Sequence, residues 1–286
     1  CLDSAIGSVC RPSVPTELYE NTLEYEYRSV NSTWTDWSAE SYLAYGQGFL
    51  VISFADGKIL DTAVTDGEGY FALEVVDSAF RDGDDAVALF AIRPSDDATN
   101  FAFAVMDPGL APGSFDVSDR LTAGMPNPRP WFWTLDLDEL PAWSEIYLPL
   151  SVGSGAAYTY DYLRFVHAVA RDFYGERDRT ALAIWFGPEV AWSCGACFTK
   201  TPTLDATWSF DSQIFMPATS TDEAYWSAAV IAHELGHWLM ATYGASPGEG
   251  GSHILGIPTH PGIAWSEGFA TWFSALVRGQ ATYYDK

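Results

Sequence analysis

The spacing of apolar and polar positions changes character once along this chain. From Thr22 to about Leu150 the apolar residues come in short runs rich in aromatic and β-branched side chains, separated by clusters of Gly, Asp, Pro and Asn. These runs predict strands over 22–30, 48–55, 58–65, 69–76, 86–93, 101–107, 131–136 and 146–149. Ala55-Asp56-Gly57-Lys58 predicts a two-residue hairpin, because Asp-Gly tolerates the positive φ angles such a loop demands. Asp66-Gly67-Glu68-Gly69 predicts the next one. No long helical period interrupts this region, so an antiparallel β-sandwich is the economical arrangement. Beyond the small, flexible stretch Ser151 to Ala156 the period becomes helical. Tyr162, Phe165, Val166, Val169, Ala170 and Phe173 repeat at helical spacing and predict a helix over 158–174, ended by Gly175. Short strands follow over 181–186 and 212–215, and a second helix is predicted over 222–243, with Ser220 and Glu223 as a capping box and Gly244 past its end. The fold class is therefore α+β: a tether over 1–20, a sandwich over 21–150, and a mainly helical domain with a small sheet over 151–286.

Composition sharpens this division. The chain has 286 residues, 48% hydrophobic and 18% charged, which suits two globular domains and argues against disorder. Its formal net charge of -24 repels phosphate backbones and anionic lipid surfaces, so nucleic-acid binding is excluded. The acidity is uneven: residues 1–150 carry 25 acidic and 7 basic side chains, residues 151–286 carry 13 and 7. All five histidines lie in the second half.

No apolar run approaches the ~18 residues of a membrane span. The first residue is Cys1, and a leading cysteine is what signal-peptide processing leaves on a bacterial lipoprotein; the alternative is an ordinary secreted chain in which Cys1 pairs with Cys10. A lipid on Cys1 would be the one route to a membrane. Cys194 and Cys197 sit in a loop-like Cys-Gly-Ala-Cys turn and predict a local disulfide in an oxidising compartment. The expected location is extracellular or on the cell surface.

The chemistry is concentrated in His233-Glu234-Leu235-Gly236-His237. Residues four apart on a helix share a face, so both imidazoles reach one cation, and Glu234 projects beside them without being a ligand. This is the arrangement of a zinc hydrolase: the cation activates water and polarises a carbonyl, while the glutamate handles the proton. The helix around it is apolar nearly all round, so it is expected to be buried, where two histidines and a glutamate are costly without a metal.

Two resemblances bear on the whole. The run from Asp56 to Leu73, with its Thr65-Asp66-Gly67-Glu68-Gly69 turn and Phe71-Ala72-Leu73 strand, resembles the carboxypeptidase-regulatory or transthyretin-like sandwich, which implies a non-catalytic β-module ahead of a secreted enzyme. In the second half, metzincins are excluded, because Met240 and Tyr243 stand where that group has Gly and His and no methionine follows Met240. Trp265-Ser266-Glu267-Gly268-Phe269-Ala270 instead resembles the gluzincin phrase in which a glutamate on a second helix is the third zinc ligand. That resemblance implies His233, His237 and Glu267 as ligands of a Zn2+ cofactor and Glu234 as general base. Ser266 departs from the family's usual Asn, and the thirty positions between His237 and Glu267 are more than the family has, so His253 and His260 stay in play. His253 is expected to take part in catalysis; either histidine is an alternative third ligand. Tyr243, Tyr283 and Tyr284 are further candidates to stabilise an oxyanion. The loop from Ser246 to Pro261 is expected over the metal. Gluzincins continue with further helices, so the sequence is expected to be a piece of a longer chain. Residues 180–286 also resemble secreted or lipoprotein zinc-peptidase-like proteins of gliding and predatory bacteria.

The expected function is zinc-dependent hydrolysis of peptide bonds in a peptide or protein substrate. Endopeptidase is favoured over aminopeptidase, because no Gly-x-Met-Glu-Asn-type phrase is present to hold a substrate amine. The strand over 212–215 is the expected edge for an added peptide. The alternative is a surface binding or assembly protein whose peptidase-like domain holds metal without turnover.

Overall fold

The computed structural model describes residues 2–4, 7–9, 15–94, 101–137, 144–175, 181–202, 208–247, 253 and 257–285. The fold is mixed α+β, with mainly antiparallel sheets in the N-terminal part and helices concentrated in the C-terminal part. Cys1 and Cys10, and half of the loop expected over the metal, lie outside the described residues. Among the described residues, no helix is long and apolar enough to cross a membrane.

The chain divides into two compact units that interleave in sequence. One comprises Cys1–Tyr27, Glu40–Val105 and Pro130–Asp161; the other comprises Arg28–Ala39, Met106–Arg129 and Tyr162–Lys286. A single cut near Ser151 does not describe this division, since long strands and one long helix run across the boundaries.

The first unit holds two four-stranded sheets. One runs Phe132–Leu135, Ala86–Phe90, Leu50–Ala55, Lys58–Val64 in spatial order, antiparallel throughout. Its predicted hairpin is present: Asp56 and Gly57 adopt φ of 50° and 66°, the left-handed pair a two-residue loop needs. The other sheet is built on the long strand Thr16–Val30, which pairs antiparallel with Tyr70–Val76 and parallel with Glu145–Leu148, so this sheet is mixed and not purely antiparallel. Alternate residues of these strands fill the core, where Leu23, Phe49, Val51, Phe71, Leu73, Val87 and Leu89 are almost fully buried.

Several expectations are corrected here. Residues 16–20 belong to the long strand and not to a tether, and Leu2–Ser4 and Gly7–Val9 pair as a small antiparallel hairpin. The Asp66–Gly69 turn is not a hairpin: Lys58–Val64 and Tyr70–Val76 lie in different sheets. Asp66 Oδ1 accepts the backbone N–H groups of Glu68 and Tyr70, and Gly69 approaches the Leu23 backbone so closely that a Cβ would meet the Leu23 carbonyl oxygen at 2.4 Å. That contact hands the chain from one sheet to the other. Trp37–Tyr45, a strand the sequence does not predict, is largely exposed beyond Trp37. The short helix α1 (Val117–Ala123) was likewise not predicted; its N-cap is Asp116, whose carboxylate accepts the Ser118 N–H.

The second unit carries the candidate chemistry. Leu182–Phe186 and Ser212–Met216 are buried along their whole length and pair in parallel, and Cys197–Thr199 joins Ser212–Met216 antiparallel. Ser212–Met216 is therefore an interior strand, not the expected edge. Its five residues are all buried, which means that both faces of the sheet are covered there. The helix α2 (Ser154–Tyr174) starts four residues before its expected onset. The predicted helix over 222–243 splits into a 3-10 turn, Ala224–Trp226, and α3 (Ala228–Tyr243). Its N-cap is Ser227, whose hydroxyl accepts the Val230 N–H, and not Ser220. The helix α4 (Pro261–Arg278) follows, with Pro261 in its first turn and Gly279 in the left-handed conformation past its end.

Candidate metal centre

The two helices α3 and α4 lie antiparallel, and their contacts fix the site. Ser274 Oγ donates to the Ala229 carbonyl at 2.8 Å near one end of the contact. In the middle, Gly236 faces Ala270: a Cβ on Gly236 would meet the Ala270 Cα at 2.9 Å. The absence of a side chain there lets the backbones approach, which brings the inward residues of the two helices within reach of one another.

Those inward residues are His233 and His237 from α3 and Glu267 from α4. One ligand atom from each lies within 4.8 Å of the others. The two Nε2 atoms are 3.1 Å apart, His233 Nε2 is 3.0 Å from Glu267 Oε2, and His237 Nε2 is 3.4 Å from Glu267 Oε1. A tetrahedral cation with ligand bonds of about 2.0–2.1 Å would have ligand-to-ligand edges of about 3.3 Å, so the spacing of this trio suits zinc.

The remaining ring nitrogens strengthen that fit. Ser266 Oγ lies 3.1 Å from His237 Nδ1, and Thr271 Oγ1 lies 3.2 Å from His233 Nδ1. Each hydroxyl can accept an Nδ1–H, the tautomer that leaves the Nε2 lone pair free for a cation. Both imidazoles would then turn lone pairs toward each other and toward a carboxylate, an arrangement of three acceptors that a cation resolves. Burial pushes the Glu267 carboxyl upward, but hydrogen bonds with His233 and His237 outweigh it and hold the group well below the usual carboxylate range.

Glu234 is buried beside these ligands, only 5% exposed. Burial raises its pKa, partly offset by the nearby His233 and His237 rings. It is therefore a carboxylate with elevated basicity next to the ligand trio, the property a general base requires. On the other side, the ring of Phe198 stacks on His237 at 6.5 Å and 14°. Phe198 belongs to the strand Cys197–Thr199, and the Cys194–Cys197 disulfide expected from sequence closes the turn before it.

The other sequence candidates separate clearly. His253 is about half exposed and reaches Glu267 Oε2 with its Nε2 at 3.3 Å, so it sits against the carboxylate ligand and outside the trio. His260 is the N-cap of α4, its Nδ1 accepting the Gly262 N–H at 3.1 Å, which gives that side chain a local structural role. Tyr243 packs edge-on against Trp238, and Tyr284 is buried against Trp37. Tyr283 approaches the site, its ring 5.8 Å from that of His233 at 74°. Burial, followed by the charges of Asp285, Glu234 and Glu267, raises the Tyr283 phenol.

Sequence reasoning missed the roles of Ser266, Thr271 and Phe198. For the first two a signal existed: Thr271 stands four residues after Glu267 and shares its face of the helix, and Ser266 stands four before the buried Ala270 on the face turned inward. For Phe198 there was none, because its contact depends on how the sheet meets α3.

Residues 191–286 match the family model of the Mycolysin C-terminal domain, which relates this part of the chain to metallopeptidases. The match includes the disulfide turn and both helices of the ligand trio. Among curated proteins no match is found.

Proposed function

We propose that this protein is a zinc-dependent peptidase in which His233, His237 and Glu267 hold the metal and Glu234 is the general base. The observation that carries the reading is the convergence of one ligand atom from each of His233, His237 and Glu267 within 4.8 Å, beside a buried carboxylate that is not itself one of them. When bound, zinc supplies an acidified water and polarises the scissile carbonyl. Glu234 takes the proton of the attacking water and passes it to the departing amine. Ser266 and Thr271 hold the two imidazoles in their ligating tautomer. The match to a domain associated with metallopeptidases supports the same reading.

A peptide substrate would lie along Cys197–Thr199, which adjoins the site through Phe198, with the Cys194–Cys197 disulfide holding the start of that strand. Endopeptidase action on an extended chain suits such a strand. The disulfide also favours an oxidising, extracellular setting.

The test is zinc stoichiometry together with cleavage of a peptide library by the full chain and by Glu234→Gln. The expected result is one zinc in both proteins and turnover lost by at least about 10²-fold in the variant, the scale of a removed general base. Equal cleavage by the two would overturn the mechanism. Zinc in both with cleavage by neither would favour a surface binding protein with a metal-loaded, non-catalytic domain.

A further inference from the structure

The three candidate ligands are not held alike. His237 has Ser266 Oγ 3.1 Å from its Nδ1, and His233 has Thr271 Oγ1 3.2 Å from its Nδ1, so each ring has a partner on the nitrogen it does not turn toward the cluster. Neither hydroxyl reaches the carboxylate in the same way. The last torsion of a glutamate side chain is broad, and α4 fixes where the Glu267 carboxylate sits without fixing how it is turned. Its two oxygens face different neighbours: Oε2 lies 3.0 Å from His233 Nε2, and Oε1 lies 3.4 Å from His237 Nε2. Such a group can meet a cation with one oxygen or with both.

His253 is the neighbour that the metal reading has not used. It lies between α3 and α4 and belongs to neither helix. Its Nε2 is 3.3 Å from Glu267 Oε2. Side-chain exposure rises from 11% and 12% for His233 and His237, through 25% for Glu267, to 45% for His253, which makes His253 the outermost member of the group. Its nitrogens do not join the set of ligand atoms that lie within 4.8 Å of one another, so in this position it is a partner of a ligand and not a ligand. The polarity of the contact follows from the groups themselves. An ionised carboxylate only accepts, and an imidazole nitrogen facing it is stable there only as N–H, because a bare lone pair would oppose the charge.

We infer that His253 is the positioning residue of the third ligand: its Nε2–H engages Glu267 Oε2 and turns the carboxylate so that Oε1 is the oxygen offered to the metal. This rests on the metal assignment of the peptidase reading. Each candidate ligand then has one partner on the atom it does not present, Ser266 for His237, Thr271 for His233 and His253 for Glu267. A carboxylate held to one oxygen leaves a coordination position for water, which a carboxylate using both oxygens would crowd. The thirty positions between His237 and Glu267 acquire a use as well, since they carry to the third ligand a donor that the two helices do not supply.

The test is made on the full chain, with His253→Ala, which removes the donor, and His253→Gln, whose amide N–H has a similar reach. Zinc affinity is measured by competition with a chelator. The visible absorption of the cobalt(II)-loaded protein is recorded beside it, because its intensity is high for four-coordinate cobalt and falls as further ligands enter. His253→Ala is expected to weaken zinc binding by about 10–100-fold and to lower the cobalt absorption as the second carboxylate oxygen joins the metal. His253→Gln is expected to keep affinity within about threefold of wild type and to restore the wild-type spectrum. Unchanged affinity and spectrum in His253→Ala overturn the inference. Equal losses in the two variants also overturn it, because an amide replaces a hydrogen-bond donor but not a ligand or a packing ring. A wild-type chain that binds neither metal overturns the inference together with the metal assignment. A wild-type chain that binds zinc but cleaves no peptide defeats the peptidase reading alone, and the two variants still decide the part played by His253.

Discussion

The helices α3 and α4 each bring candidate ligand residues to one cluster, yet they are built on opposite plans. In α3 the apolar residues surround the axis, and Ala229 through Met240 are buried except His237, which is partly exposed. In α4 only Ser266, Ala270, Phe273 and Ser274 are buried, while Trp265, Trp272 and Leu276 stand more than half exposed on the outer face. The consequence is a difference in what a polar residue means. On a buried helix each ionisable side chain carries a desolvation cost that something must offset, so His233, Glu234 and His237 announce a function. On a half-exposed helix a serine or threonine is ordinary, and its role depends on which way it faces.

The sharpest way to break this pairing is at the point where the two helices touch. Gly236→Val would place branched carbons against the Ala270 backbone, which cannot rotate away as a side chain would. Forcing the helices apart is expected to lower stability by about 1–3 kcal/mol, the usual scale of overpacking, and to abolish stoichiometric zinc because α4 carries Glu267 away from the histidines. Zinc content by atomic absorption and denaturant unfolding read the two effects separately. Retention of full zinc content would mean that the ligand trio does not depend on this contact.

Next in size are the hydroxyls that face inward from α4. Thr271→Val preserves the branched shape and removes the partner of His233 Nδ1; Ser266→Ala removes the partner of His237 Nδ1. Each is expected to weaken zinc binding by about 10–100-fold, measured by competition with a chelator, with little change in secondary structure by circular dichroism. Because the residues serve different imidazoles, the two losses should combine more than either alone. Zinc affinity unchanged in both variants would remove α4 from any role beyond Glu267.

This contrast also explains what was legible in advance. The His233–His237 motif was readable because helical periodicity fixes which side chains share a face, whereas Glu267 was singled out only by the resemblance of its phrase to a known one. The predicted strands in the first unit largely stand, since their short apolar runs report local backbone preference. What failed was connectivity. The Asp66–Gly69 turn read as a hairpin because sequence shows the turn and not the partner, and the partner is the distant strand Thr16–Val30. Ser212–Met216 read as an edge because its second neighbour, Cys197–Thr199, was hidden in what resembled a loop around a disulfide. Tyr283 was one of three equivalent tyrosines until its contact with His233 separated it from Tyr284, which packs on Trp37. These misses concern long-range contacts, which local pattern does not encode.

A smaller effect is expected where α4 is tied to α3 away from the ligands. Ser274→Ala removes a buried hydrogen bond to the Ala229 carbonyl, an acceptor that also lies within the α3 backbone ladder. A loss of about 1 kcal/mol in unfolding free energy is expected, with zinc content intact. A coupled loss of zinc would show that the register of the helix pair hangs on this one contact and not on Gly236.

The smallest effect should come from the outer face of the same helix. Trp272 is 56% exposed and touches Phe269 at 5.6 Å, also on α4. If the inward face alone carries both packing and chemistry, Trp272→Ser should change stability by no more than about 0.5 kcal/mol and leave zinc binding and cleavage as in the wild type. Denaturant unfolding and the peptide assay decide this together. A loss of cleavage without a loss of zinc would place substrate contacts on the outside of α4, and the division of that helix into a working face and a solvent face would have to be redrawn.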